Sequence, residues 1–259
     1  MIIDDSIVMK YLLGQKPISY EDNWVYNNAF GRGKLFETPN PIHKDWVSKL
    51  QKKLKNQIQN FVPRNHEILK RLFPCFDDIA KQYTIIFVVG FPDPYDAMVL
   101  SHNGMEYMVF DLIQFGQDAL EEEYSCHRVL THELLHICLH KKYQAPANIS
   151  YTESLDYMTF DEGFAHALTY PEDINTFQFN DFLKEKYEQA SNQLKCAVAE
   201  TNFEKQKSFR ISANTGDYWD KFGSISGKLY ILKNVHKIEE ILNNGWEGFT
   251  SKIICKAAY

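Results

Sequence analysis

The strongest constraint in this sequence is a His-Glu-x-x-His motif set in an apolar run. The motif spans His132 to His136, and residues 129–139 around it are otherwise almost all apolar. A run of this kind predicts a largely buried helix. In a helix, residues four apart lie about 40° apart around the axis and about 6 Å apart along it. The motif therefore predicts a helix that presents both imidazole rings to one ion.

The chemistry of the three polar motif residues indicates a zinc site. Burying two imidazoles with a carboxylate is costly unless a cation pairs with them, and Zn²⁺ is commonly bound by imidazole nitrogen. Glu133 projects close to the same face, where it can take a proton from a water that the metal activates. The sequence thus predicts His132 and His136 as ligands and Glu133 as general base of a zinc hydrolase, foremost a peptidase. The alternative is a core helix with two hydrogen-bonded histidines and an ion-paired Glu133.

Composition and charge argue against several other classes. The 259 residues suffice for one large domain or a domain with a subdomain, and a net charge of −6 predicts no nucleic-acid partner. Five scattered cysteines without a C-x-x-C pair indicate reduced thiols. The acidic N-terminus and the lack of a long apolar run indicate neither a secretory signal nor a membrane span. We therefore expect a cytoplasmic protein.

Hydrophobic periodicity predicts helices before the motif and a small sheet directly in front of it. Residues 4–80 are typical of helices joined by loops, with the clearest apolar stripe at residues 46–61. Residues 83–90 form a β-branched and aromatic run that predicts an interior strand. Residues 97–100 and 106–110 flank Asn103-Gly104, and an Asn-Gly pair is the strongest short signal for a hairpin.

After Tyr143 we expect a loop to about Thr159, a helix that starts near Asp161, and mostly helices thereafter. The predicted fold class is α+β, with a small mixed sheet packed on the motif helix. The predicted division is a helical N-terminal region over residues 1–80 and a catalytic domain over residues 81–259. Within the latter, residues 81–142 hold the sheet and the motif helix, and residues 143–259 form a helical subdomain.

This order of sheet, HExxH helix and helical second half resembles the zincin metallopeptidases. Residues 84–170 resemble a gluzincin, the zincin branch whose third zinc ligand is a glutamate on a later helix. They are also similar to uncharacterised bacterial families of zinc-dependent peptidases. The resemblance implies a zincin-like fold and a Zn²⁺ cofactor. A metzincin would need Gly and His where this chain has Leu139 and Lys142.

The resemblance implies Glu162 as the third ligand. Gluzincins commonly carry a glutamate followed by small residues here, and Gly163, Ala165 and Ala167 would let the helix pass close to the motif helix. Glu153 and Asp156 remain alternatives, and Asp161 or Asp156 can accept a hydrogen bond from a ligating imidazole. His140 lies about 12 Å along the axis from His132, too far to share its ion, and we interpret it as a helix C-terminal histidine.

A hydrolase of this kind also needs a donor for the oxyanion. In gluzincins this is often a Tyr or His, and we expect His166 and Tyr230 in this role, with Tyr157 and Tyr218 as other candidates. His166 lies one turn after Glu162 and is equally compatible with a hydrogen-bonded core histidine. The glycine- and serine-rich segment 216–230 suits helix packing better than catalysis.

Zincins hold a peptide along a sheet edge, so a peptide or protein substrate would pair with residues 97–100 or 106–110. The alternative functions are a zinc amidase or deformylase-type hydrolase, which would need a cysteine ligand, and a non-catalytic regulatory protein on a zincin scaffold. Cys126 is badly placed for such a ligand, and a regulatory protein would not need to retain Glu133.

Overall fold

The computed structural model describes residues 1–27, 33–63, 65–93, 95–116, 125–144, 148–169 and 174–256. Its strands are β1 (Ile2–Asp4), β2 (Thr84–Val88), β3 (Ala97–His102) and β4 (Met105–Asp111). Its first helices are α1 (Ser6–Leu12), α2 (Lys44–Gln59), α3 (His66–Leu72), α4 (Phe76–Gln82) and α5 (Ser125–Lys142). The later helices are α6 (Tyr151–Leu168), α7 (Asp181–Ala199), α8 (Phe203–Ser212), α9 (Phe222–Lys233), α10 (Ile238–Asn243) and α11 (Phe249–Lys256).

The four strands form one mixed sheet in the order β1-β2-β4-β3. β1 and β4 run parallel to β2, and β3 runs antiparallel to β4. The predicted α+β class is therefore confirmed, as is the mostly helical second half of the described chain. The N-terminal region, predicted as helical, also supplies the short strand β1.

The hairpin between β3 and β4 turns at Asn103-Gly104, as predicted. Asn103 has φ 51° and Gly104 has φ 75°. Two successive positive φ angles match the twist of a two-residue hairpin, and Asn and Gly tolerate them best. β4 is paired on both sides, so the expectation that residues 106–110 offer a free edge is wrong, and of the two hairpin strands only β3 is an outer strand.

The chain divides into two compact units. The first comprises Met1–Pro63 and Cys75–Glu133, and it holds the sheet, α1, α2, α4 and the first half of α5. The second comprises Arg64–Pro74 and Leu134–Tyr259, and it holds α3, the rest of α5 and α6 to α11. The predicted division at residue 80 stays a prediction.

α6 begins about ten residues earlier than the sequence analysis expected. The Ser150 hydroxyl accepts a hydrogen bond from the Glu153 backbone N–H at 3.3 Å, and the Glu153 carboxylate accepts one from the Ser150 N–H at 2.8 Å. This reciprocal pair is a capping box, which starts a helix at Tyr151. The predictions of a loop to Thr159 and of a helix start near Asp161 are wrong, and Glu162 lies well inside α6.

α6 crosses α9 at two facing glycines. A Cβ atom at Gly227 would lie 2.1 Å from the Thr159 carbonyl oxygen, and one at Gly163 would lie 2.9 Å from the Gly227 Cα atom. The backbones can approach this closely only because neither residue has a side chain. Gly163, which we expected to serve the approach to the motif helix, therefore serves the packing of α9. Among the described residues, no helix is long and apolar enough to cross a membrane.

Candidate metal centre

The polar motif residues of α5 and His140 form a half-buried stripe between buried apolar residues. Leu134, Leu135 and Ile137 are fully buried. His132, Glu133, His136 and His140 are half-buried instead. Residues at spacings of four lie above one another on a helix, so the three imidazoles line one face. The buried apolar residues of α5 fix the helix by packing, and the half-buried polar residues are available to bind a ligand.

The three residues that the sequence predicts as metal ligands lie close to one another, namely His132, His136 and Glu162. One possible ligand atom from each lies within 4.8 Å of the others. The border between the two compact units falls inside α5, directly after Glu133. His132 therefore stands one turn before His136 on the same continuous helix. Two imidazoles and one carboxylate are also the donor set of many catalytic zinc sites.

The second ring nitrogen of His136 is fixed by Asp161. The His136 Nδ1 atom lies 2.8 Å from the Asp161 Oδ2 atom. Burial alone would raise the pKa of Asp161, but the charges and hydrogen bonds of His136 and His140 hold that pKa well below its usual range. Since an ionised carboxylate only accepts, the His136 Nδ1 atom donates. Partners of this kind orient a ligating imidazole.

The other side of the His136 ring faces Glu162 and can hold a proton or a metal cation. A neutral imidazole that donates from Nδ1 has an acceptor at Nε2. That Nε2 atom lies 3.8 Å from the Glu162 Oε1 atom, which is also an acceptor when ionised. Two acceptors face one another favourably only with a proton or a metal cation between them. The residues present therefore fit a metal ion at this position.

Glu162 is held in place by an amide from a distant segment. The Asn214 Nδ2 atom donates to the Glu162 Oε1 atom at 2.7 Å, and the Ser224 hydroxyl donates to the Asn214 Oδ1 atom at 2.5 Å. Burial raises the pKa of Glu162, the charge of His136 lowers it and that of Asp161 raises it, with a net upward shift. A carboxylate in such surroundings gains from a bound cation.

The other two acids proposed as third ligand are engaged elsewhere. Glu153 is exposed and belongs to the capping box of α6. Asp156 is buried and accepts hydrogen bonds from the Gly248 N–H at 3.0 Å and the Thr250 N–H at 2.8 Å. Both acids therefore have structural roles in the second compact unit. Glu162 remains the preferred third ligand.

His140 has a partner that the sequence analysis did not foresee. Its Nε2 atom lies 3.3 Å from the Asp161 Oδ2 atom, which His136 also contacts. His136, His140 and Asp161 form a second group whose possible ligand atoms lie within 4.8 Å of one another. Because Asp161 already takes the proton on the His136 Nδ1 atom, we interpret this group as a support for His136.

The residues predicted as oxyanion donors have different surroundings in the structure. The His166 Nε2 atom lies 3.5 Å from the Glu162 Oε2 atom, so His166 adjoins the proposed ligand. The Tyr218 ring meets the His166 ring edge-on at a centroid distance of 5.8 Å. Tyr230 is buried, with its ring edge-on against Phe249. Tyr157 stacks on His140 instead. Tyr218 thus contacts His166 beside the proposed ligand, and the role assigned to Tyr230 stays a prediction.

Three residues near the candidate site escaped the sequence analysis, namely Asn214, Ser224 and Lys228. All three lie in or just before the small-residue segment 216–230, which the sequence indicated mainly as helix packing. The segment serves helix packing through Gly227 and also carries Lys228, the next residue, close to the candidate site. The side chain of Cys126, the cysteine considered for an amidase-type site, lies outside the described residues.

A scan against protein-family models, a search of curated proteins and a search of solved structures each found no match to this chain. The site must therefore be interpreted from its own residues.

Proposed function

We propose that this protein is a zinc-dependent metallopeptidase of the gluzincin type that acts on peptides or proteins in the cytoplasm. The observation that carries the proposal is the cluster of His132, His136 and Glu162, whose possible ligand atoms lie within 4.8 Å of one another. A dication there offsets the cost of burying the ionised Glu162 and accepts the lone pair of a neutral His136.

Zinc held by His132, His136 and Glu162 would activate a water molecule and polarise the scissile carbonyl. Glu133 would take the proton from the attacking water and deliver it to the leaving amine. Asp161 keeps the His136 ring in the tautomer that offers the Nε2 lone pair. Asn214 orients the Glu162 carboxylate through its amide.

The substrate backbone would be recognised by strand addition. Among the described strands β3 is an outer strand, and the outer edge of a sheet can hydrogen-bond an extended peptide. His166 and Tyr218 supply donors for the negative charge that develops on the carbonyl oxygen.

The test compares wild type with Glu133→Gln in a peptide-library digest with added zinc. We expect cleavage to fall by at least about a hundredfold in the variant, the lower range for loss of a general base, with zinc binding retained. Glu185→Gln is the matched control, because Glu185 is an exposed glutamate on α7 whose carboxylate accepts from Gln189. Undiminished cleavage by Glu133→Gln would refute the general-base role, and zinc binding without any cleavage by wild type would favour the regulatory alternative.

A further inference from the structure

Tyr218 lies between a histidine of the candidate site and a buried lysine. The Lys228 Nζ atom donates to the Tyr218 hydroxyl at 2.6 Å and lies 5.2 Å from the centroid of the Tyr218 ring. The Tyr218 ring also contacts the His166 ring, and the His166 Nε2 atom lies 3.5 Å from the Glu162 Oε2 atom. Lys228 is only 7 % exposed, and lysines are rarely buried to this extent without a defined partner.

The direction of the hydrogen bond between Lys228 and Tyr218 is fixed by chemistry. An ammonium group has three donors and no acceptor, so the Tyr218 oxygen must accept from Lys228. The proton of the phenol is then directed at an acceptor other than Lys228. A charged donor on the phenol oxygen also polarises the phenol O–H bond and strengthens it as a donor.

Exposure separates Tyr218 from Tyr230. Tyr218 is 40 % exposed, whereas Tyr230 is 3 % exposed. A substrate oxygen can approach Tyr218 from solvent, while its hydroxyl is anchored from the protein side by Lys228. Tyr218 itself lies just before α9, the helix that carries Lys228 and the crossing glycine Gly227. The packing of α6 on α9 therefore also sets the position of this pair.

We propose that Lys228 is a positioning residue that acts through Tyr218, and that Tyr218 is the catalytic residue that donates a hydrogen bond to the oxygen developing negative charge in the substrate. This inference rests on the proposed peptidase function. No covalent step involves either residue. Lys228 aligns and polarises the phenol, and the phenol contacts the reacting carbonyl.

Kinetics of single and double variants test the arrangement. Tyr218→Phe should lower kcat by about 10²- to 10³-fold, the range for loss of one oxyanion donor, with KM little changed. Lys228→Met should lower kcat by roughly tenfold, because the phenol stays but is less well aligned and polarised. The double variant should match Tyr218→Phe alone, because Lys228 acts only through Tyr218. A lysine with a merely structural role would instead give effects that add.

Lys233→Met is the matched control for Lys228→Met. Lys233 also lies on α9 with its Nζ atom 5.4 Å from a tyrosine ring, that of Tyr187, but it is exposed and makes no contact with His166 that the structure describes. This variant should keep wild-type kcat. A loss of activity in Lys233→Met equal to that in Lys228→Met would point to a general effect on α9 and overturn the inference.

A second readout does not depend on activity. The protein is labelled with ¹³Cζ-tyrosine, and the Tyr218 resonance is identified by its absence in Tyr218→Phe. Lys228→Met should move that resonance, because it responds to hydrogen bonding at the phenol oxygen, and Lys233→Met should leave it in place. An unmoved resonance in Lys228→Met overturns the positioning role whether or not wild type cleaves peptides. A wild type that binds zinc but cleaves nothing removes the proposed function and the catalytic role of Tyr218, while the resonance still decides the coupling.

Discussion

Two buried aspartates, Asp111 and Asp161, solve the same electrostatic problem in different ways. Asp111 ends β4 in the first compact unit and accepts hydrogen bonds from the backbone N–H groups of Phe91 at 2.7 Å, Ile113 at 2.8 Å and Gln114 at 3.1 Å. Asp161 lies on α6 in the second unit and is met by the imidazoles of His136 and His140.

The two sets of partners imply different roles. Backbone N–H groups cannot leave or take up another ligand, so Asp111 ties the chain after β2 to the turn after β4. Imidazoles have a second nitrogen that can bind a metal, so Asp161 can orient a functional group. The identity of the donor therefore distinguishes a structural buried acid from one that serves a site.

The largest effect should come from Asp111→Asn. The amide NH₂ would face backbone N–H donors, and each buried N–H left without an acceptor costs about 1–3 kcal/mol. We expect the free energy of unfolding, measured with urea at about pH 5, to fall by about 3 kcal/mol. Asp96→Asn is the control, because Asp96 is exposed and its carboxylate accepts from the next backbone N–H, that of Ala97. Equal stability losses in the two variants would deny Asp111 its structural role.

Asp111 should also make the free energy of unfolding depend on pH. Burial raises the pKa of Asp111 to about 7, although backbone hydrogen bonds from Phe91, Gln114, Ile113 and Gly90 act in the opposite direction. Because the folded state holds this proton more tightly than the unfolded state, Asp111 stabilises the fold fully at low pH and loses that contribution as the pH rises towards 7. Between pH 5 and 8 the loss should amount to roughly 2–3 kcal/mol.

The measurement is the free energy of unfolding of wild type relative to Asp111→Asn at a series of pH values. The advantage of wild type should shrink as the pH rises. An advantage that grows with pH would mean that the hydrogen bonds outweigh burial and that the pKa of Asp111 is lowered.

Asp161→Asn should affect metal binding rather than stability. Loss of a carboxylate that orients a ligating imidazole typically weakens metal affinity about 10- to 100-fold. We expect this fall in zinc affinity in a chelator competition. Asp156→Asn is the control on the same helix, because Asp156 accepts from the backbone of Gly248 and Thr250 and should affect stability alone. Unchanged zinc affinity in Asp161→Asn would make Asp161 a structural acid like Asp111.

The smallest effect should come from Ser224→Ala. The Ser224 hydroxyl donates to Asn214, and Asn214 donates to Glu162. Removing the hydroxyl therefore affects the proposed ligand Glu162 only indirectly. Zinc affinity should fall by about two- to fivefold, below the range for direct partners of ligands. Ser226→Ala removes a buried hydroxyl two residues further along α9 that donates to the Gly223 carbonyl, and it should leave zinc affinity unchanged. A larger loss in the control would place the effect in the packing of α9.

Local patterns in the sequence predicted the parts of the fold that depend on neighbours in the chain. The apolar run around His132 predicted α5, and Asn103-Gly104 predicted the hairpin, because both signals act within a few residues. The start of α6 was missed although its signal is equally local: Ser150 and Glu153 form a capping box three residues apart. The strand β1 has three residues and depends on its partner β2, so no periodicity could indicate it.

Of the candidate site, only the residues of the HExxH motif could be predicted from a local pattern in the sequence. Glu162 was proposed from resemblance, and its closeness to His136 depends on the packing of separate helices. Lys228 lies on α9 next to Gly227, where α9 crosses α6 at Gly163, and Asn214 reaches Glu162 from the segment between α8 and α9. No spacing rule connects such residues, because each pair meets across helices far apart in the chain. The preference for Tyr230 over Tyr218 failed to anticipate the contact with His166 for the same reason.

The most direct test of the central proposal is the zinc affinity of three proteins: wild type, Glu162→Gln and Glu153→Gln. Both glutamates lie on α6, and glutamine preserves the capping box at position 153. We predict one zinc ion bound per wild-type chain, the same affinity in Glu153→Gln, and a fall of more than about a hundredfold in Glu162→Gln, beyond the range for outer partners. Wild-type affinity in Glu162→Gln, or no zinc bound by wild type, would contradict a metal centre built from His132, His136 and Glu162.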